Sequence, residues 1–104
     1  MAKVARKLLV IGIGGHAMAL DPTTGAEIWR TKLKGNPFVT VAVSDGRVFA
    51  ATSGEVFCLD IGTGEVLWHN ALKGLGIGVV SFASSHEVVV EAAVEAQRRA
   101  GAAT

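Results

Sequence analysis

Ala19-Leu20-Asp21-Pro22-Thr23-Thr24-Gly25-Ala26-Glu27-Ile28-Trp29 returns 39 positions on as Cys58-Leu59-Asp60-Ile61-Gly62-Thr63-Gly64-Glu65-Val66-Leu67-Trp68. Asp21/Asp60, Thr24/Thr63, Gly25/Gly64 and Trp29/Trp68 superpose at that single offset. Extended without gaps, residues 7–35 match 46–74 at nine positions, among them Leu33-Lys34-Gly35 against Leu72-Lys73-Gly74. A match of this length and register marks one supersecondary unit used twice.

Working outward from the second copy, the chain alternates short apolar runs with glycine, aspartate and serine joins. Residues 38–43, 47–52, 55–59 and 65–69 read as strands, rich in Val, Phe, Ile and Trp. Ser44-Asp45-Gly46, Ser53-Gly54 and residues 60–64 supply the turns between them. Residues 36–74 therefore read as a complete four-stranded antiparallel blade, the unit of a β-propeller. The first copy, within 1–35, supplies only three strands, at 7–13, 16–20 and 26–31. Residues 75–83 contain a spare strand at 76–83, aligned with 37–44, that would open a third blade. The expected fold is all-β, about two blades per chain, with one addition at the C-terminus.

That addition changes period. Ser84 precedes Glu87 as in a capping box, and Glu87, Glu91, Glu95 and Arg98 follow at helical spacing. Val89, Val90, Ala93, Val94 and Ala96 take the other side, with Gly101 as a stop. Residues 84–100 read as an α-helix, with a strand at 88–90 as the alternative.

Composition bounds the function classes. The chain has 104 residues, enough for one domain, and a net charge of +1 offers no field for nucleic acid or a membrane surface. The single cysteine, Cys58, takes the place of Ala19 and reads as a small buried filler. Lys3, Arg6 and Lys7 ahead of residues 8–13 imitate a secretory signal, with Ala17-Met18-Ala19 as its cleavage site. Cleavage there would destroy the first repeat, so the segment is read as blade and the protein is expected in the cytoplasm.

The pattern Ala-x-Asp-x-x-Thr-Gly-x-x-x-Trp resembles the tryptophan-docking motif of PQQ-like propeller repeats. The first copy matches at every fixed position, and the second departs only at Cys58. The resemblance covers about two thirds of the chain and implies a propeller in which Trp29 and Trp68 clamp neighbouring blades. Asp21, Thr24 and Gly25, with Asp60, Thr63 and Gly64, would then build the turns that receive them. Some members of that family are quinoprotein dehydrogenases that hold their cofactor with calcium-bound carboxylates and, often, adjacent bonded cysteines. This sequence has neither feature, so no quinone or other cofactor is expected and the motif reads as a stability device.

Other candidate chemistry has a plainer explanation. Gly12-Ile13-Gly14-Gly15-His16-Ala17 fits a dinucleotide-loop pattern, but it aligns with the hairpin at residues 51–56 and no helix follows. Gly74 through Gly78 reads as a flexible join. His16, His69 and His86 lack metal-ligand spacing and read as surface imidazoles, and Ser84-Ser85-His86 lacks the partners of a triad.

Two blades cannot close a ring, and open blade faces and strand edges invite association. The expectation is a homo-oligomer joined head to tail, a trimer of six blades or a tetramer of eight, with the spare strand of one chain completing the first blade of the next. Such a ring would act as a non-catalytic interaction scaffold that presents a propeller face to a protein partner. The alternatives are a lectin-like ring with ligand sites between blades, at residues 34–38 and 73–77, and a degenerate quinoprotein fragment.

Overall fold

The computed structural model describes residues 5–76, 78–83 and 89–90. Seven strands make two antiparallel sheets. The first holds β1 (Leu9–Ile13), β2 (His16–Leu20) and β3 (Glu27–Lys32) in the order β1-β2-β3. The second holds β4 (Thr40–Ser44), β5 (Arg47–Thr52), β6 (Glu55–Asp60) and β7 (Val66–Asn70), again in chain order. Strand bounds differ from the expected ones by up to two residues. The chain is thus all-β over its described residues, with no helix among them.

The local chemistry explains the meander. The two-residue hairpins turn on Gly14-Gly15, Asp45-Gly46 and Ser53-Gly54, each with φ between 51° and 75° at both positions. Two left-handed residues in sequence give the turn whose twist matches that of the flanking strands. The wider β2–β3 and β6–β7 connections carry the repeated motif. In both, the register shifts at the same place in the repeat, between Ala19 and Leu20 and between Cys58 and Leu59.

Strand alternation assigns each sheet two faces. In the first sheet, Val10, Ala19 and Trp29 stand opposite one another, as do Gly12, Ala17 and Thr31. In the second, Val41, Ala50 and Phe57 share a face with Val48 and Leu59. These two sets meet: Ala17, Ala19, Trp29, Val48, Ala50, Phe57 and Leu59 form one buried cluster between the sheets. At the inner edge the approach is close, for a Cβ on Gly12 would stand 2.7 Å from Val39 Cγ1. Gly14 N–H also donates to Pro37 O at 2.9 Å.

The remaining faces look outward. Leu9 and Ile13 of the first sheet are 49% and 60% exposed. Phe49 and Trp68 occupy the outer face of the second, together with the fully buried Cys58 between their strands.

Two expectations about the C-terminal region meet the structure only in part. Residues 78–83 belong to neither sheet, so the expected spare strand has no ladder here. They lie against the second sheet instead, with Thr40 Oγ1 donating to Val80 O at 2.8 Å. Of the segment expected to be helical, all but Val89 and Val90 lies outside the described residues, and those two are neither helix nor strand.

Candidate functional site

The two motif turns are copies in detail. Asp21 Oδ1 accepts from Thr23 N–H at 2.8 Å and Thr24 N–H at 3.3 Å. Asp60 Oδ1 accepts from Gly62 N–H at 2.8 Å and Thr63 N–H at 3.2 Å. Thr24 Oγ1 and Thr63 Oγ1 each accept the backbone N–H two residues on, both at 3.2 Å. Gly25 and Gly64 close the turns with φ of 78° and 79°, donating to the Asp21 and Asp60 carbonyls at 2.7 and 2.8 Å. A short carboxylate that caps successive backbone N–H groups, followed by a left-handed glycine, fixes this loop without help from the rest of the molecule.

What separates the copies is what lies on them. Trp29 leaves β3 and covers the second turn, its Nε1–H donating to Ile61 O at 2.8 Å. A Cβ on Gly64 would stand 2.5 Å from the Trp29 ring, so only glycine admits the indole at this distance. Beside it Thr31 Oγ1 donates to Gly64 O at 2.6 Å. Trp29 is 9% exposed. At the first turn no tryptophan arrives, and a Cβ on Gly25 would meet nothing within 4 Å. Trp68, the copy of Trp29, is 43% exposed and lies against the Phe49 ring, at 6.1 Å between centroids.

Of the eight residues picked out from the sequence, the structure therefore joins Trp29 to the turn of Asp60, Thr63 and Gly64. It leaves Trp68 and the turn of Asp21, Thr24 and Gly25 apart. The hydroxyl of Thr31 was not foreseen. Its signal was present, since Thr31 aligns with Asn70 and both carry a side-chain hydrogen-bonding group.

A second polar cluster joins the sheets at the surface. Glu55 takes Lys34 Nζ at 3.2 Å and His69 Nε2 at 2.6 Å. The His69 ring stacks on Phe57, with centroids 4.3 Å apart and planes 4° from parallel. The hydrogen bond from His69, then that from Lys34, holds the Glu55 carboxyl below the usual range. His69 is thus engaged rather than simply solvated. His16 Nδ1 lies 2.8 Å from Gly14 O in the first hairpin, and His86 lies outside the described residues. Burial pushes the Cys58 thiol up, against a weaker opposing pull from Arg47, which suits a packing residue better than a nucleophile.

Residues 12–17 form the β1–β2 hairpin with no helix after it, which is not the setting of a dinucleotide loop. Among the described residues, no three His, Cys, Asp or Glu side chains converge on a point that would hold a metal. A cleft of about 170 Å³ lies between the loop before β4 and residues 78–80, lined by Asn36, Phe38, Thr40, Ala51 and Thr52.

The family model described as outer membrane protein assembly factor BamB matches residues 8–102. No curated protein matches the chain significantly.

Proposed function

This chain belongs to the PQQ-like repeat family that includes the assembly factor BamB, and from that premise we propose that it is a non-catalytic scaffold. In this reading its two sheets are propeller blades, and copies of the chain assemble head to tail into a ring of three or four. The observation that carries the reading is Trp29. It clamps one blade to the next through an indole stacked on Gly64 and a hydrogen bond to Ile61 O. That device fixes the angle between neighbours and engages no reacting group. The family description names an assembly factor, which favours a protein partner on the ring's face over a small substrate.

The tryptophans serve as structural clamps, and the eight motif residues are interface residues rather than catalytic ones. We place the ring in the cytoplasm. Removal of a leader after Ala19 would take away β1 and nearly all of β2, so the N-terminal sequence of the mature protein tests that placement. Negative-stain electron microscopy tests the scaffold itself. Closed particles with threefold or fourfold symmetry are expected, and open filaments or single chains would overturn the ring.

The cleft beside Asn36 and Phe38 favours a second reading, a ring that binds a small ligand between blades. It is lined by Asn36 and Phe38 of the loop at 34–38 and by residues 78–80. A glycan array separates the two readings, since a scaffold gives no dose-dependent spot.

A further inference from the structure

We propose that one loop end of the two sheets docks an acidic peptide segment of a partner, whose apolar side chain enters the cleft between Phe38 and Val79. The proposal rests on the scaffold reading above and names the face that is used and the chemistry of its partner.

The two ends of the sheets differ in charge. One end carries the β1–β2 and β5–β6 hairpins and the stretches that leave β3 and β7. Among the described residues its one acid is Glu55, against Lys32, Lys34 and Lys73. Glu55 is already engaged by Lys34 and His69, whereas Lys32 and Lys73 pair with no carboxylate among the described residues. The other end, at the motif turns and the β4–β5 hairpin, holds Asp21, Glu27, Asp45, Asp60 and Glu65. Unpaired ammonium groups draw a carboxylate-bearing partner to the first end, and the acidic end repels it.

The first end also carries the most exposed large apolar side chains of the two-sheet body. Ile13, Phe38, Leu75 and Val79 are 60% to 83% exposed, whereas those elsewhere on the sheets reach at most 52%. Phe38 sits in the loop between the sheets. Stacking of one blade on the next covers sheet faces, so this loop stays open in an assembled ring.

That loop is ordered in advance. The Leu33 and Lys34 N–H groups both donate to Gly15 O, at 2.8 and 3.3 Å, and Gly14 N–H donates to Pro37 O. A Cβ on Gly15 would collide with Lys34 O, so the crossing of loop and hairpin requires glycine there. Thr52 Oγ1 donates to Phe38 O at 2.8 Å, and Phe38 N–H donates to Asn36 Oδ1 at 2.9 Å. The phenyl ring is therefore presented to solvent by a fixed backbone, which lowers the entropy cost of docking.

The cleft beside it, about 170 Å³, matches cavities of ~150 Å³ that take up a single benzene ring. It has room for one apolar side chain. The Thr40 and Thr52 hydroxyls in its lining spend their protons on Val80 O and Phe38 O, while the Asn36 carboxamide keeps its Nδ2 protons. Amide protons and ammonium groups are what this end offers, and both suit carboxylates flanking an apolar anchor. Two unpaired lysines are too few for a nucleic-acid backbone, which is held through many phosphate contacts. A concave cleft selects a protruding side chain over the flat surface of a bilayer.

Selection from a random peptide phage library on the immobilised full chain supplies the ligand. The expected consensus is a large apolar residue flanked by Asp or Glu. Fluorescence anisotropy then reads the affinity of the selected peptide for variants shown to be folded by far-ultraviolet circular dichroism. Phe38→Ser should weaken binding about tenfold or more, as for a central interface anchor. Val79→Ser serves if that variant does not fold. The double variant Lys32→Glu, Lys73→Glu should lose about tenfold at low salt, and the loss should shrink at about 1 M salt, where screening is short-ranged. Val43→Ser, which alters an exposed apolar residue near the acidic end, should leave binding unchanged. No enriched peptide, a basic consensus, or a peptide indifferent to Phe38→Ser would overturn the proposal. Binding to phosphatidylglycerol vesicles that Phe38→Ser abolishes would also overturn it, by making a bilayer the occupant. A solution mass that Phe38→Ser lowers would do the same, by making the occupant a second copy. Light scattering of the wild type tests the ring separately. A single chain that binds the acidic peptide through Phe38 would overturn the ring and keep this surface, and a ring that enriches no peptide would do the reverse.

Discussion

Trp29 and Trp68 occupy the same position of the same motif, yet one is nearly buried and the other is nearly half exposed. Sequence, strand register and the preceding turn are shared, so none of these explains the difference. The cause is the neighbour: the turn that covers Trp29 comes 32 to 35 residues later in the same chain, whereas no later turn among the described residues covers Trp68. Burial of a repeat residue is thus a property of position in the array.

Trp29→Ala should break the asymmetry most severely. It empties the space between the sheets and orphans the Ile61 carbonyl, and a cost of about 3–5 kcal/mol is expected for loss of a buried aromatic side chain. Urea unfolding of the dissociated chain checks it. The glycines come next and sharpen the contrast. Gly25→Ala should cost about 1–2 kcal/mol, the strain of a left-handed alanine alone. Gly64→Ala bears the same strain and adds about 1–3 kcal/mol, because its methyl collides with the Trp29 ring. Equal losses at the two glycines in thermal melts at low protein concentration would contradict the packing described here.

Trp68→Ala should cost the dissociated chain only about 1 kcal/mol, mainly its contact with Phe49. Its larger effect should fall on assembly. The smallest effect concerns Glu55, whose folded-state carboxyl lies below its ordinary value. The stability it adds is present above the unfolded carboxylate range and is lost as pH falls through the depressed folded value. The melting-temperature advantage of wild type over Glu55→Gln should therefore shrink between about pH 7 and pH 3, and a constant gap would show that the ion cluster contributes nothing.

Much of this is legible in the sequence. The repeat and its turn residues place all seven strands to within two residues, because hairpin glycines and alternating apolar runs act locally. The fate of Trp29 was readable from the resemblance, since the partner turn lies in the same chain. Two features were not. The Glu55–His69–Lys34 cluster joins residues 14 and 21 positions apart in sequence, brought together only by the β6–β7 pairing and the packing of the loop after β3. Residues 76–83 read as a strand because they align with 37–44, but a strand needs an edge to pair with. The described part of that segment has a single hydrogen bond to Thr40 and no ladder. Propensity supplies the extended backbone, and only a neighbouring edge supplies the sheet.

Native mass spectrometry of this chain tests the central claim most directly, that a chain with one covered and one exposed motif tryptophan among its described residues assembles with further copies. The account predicts one dominant species of three or four chains. A spectrum of single chains across the micromolar range would contradict it.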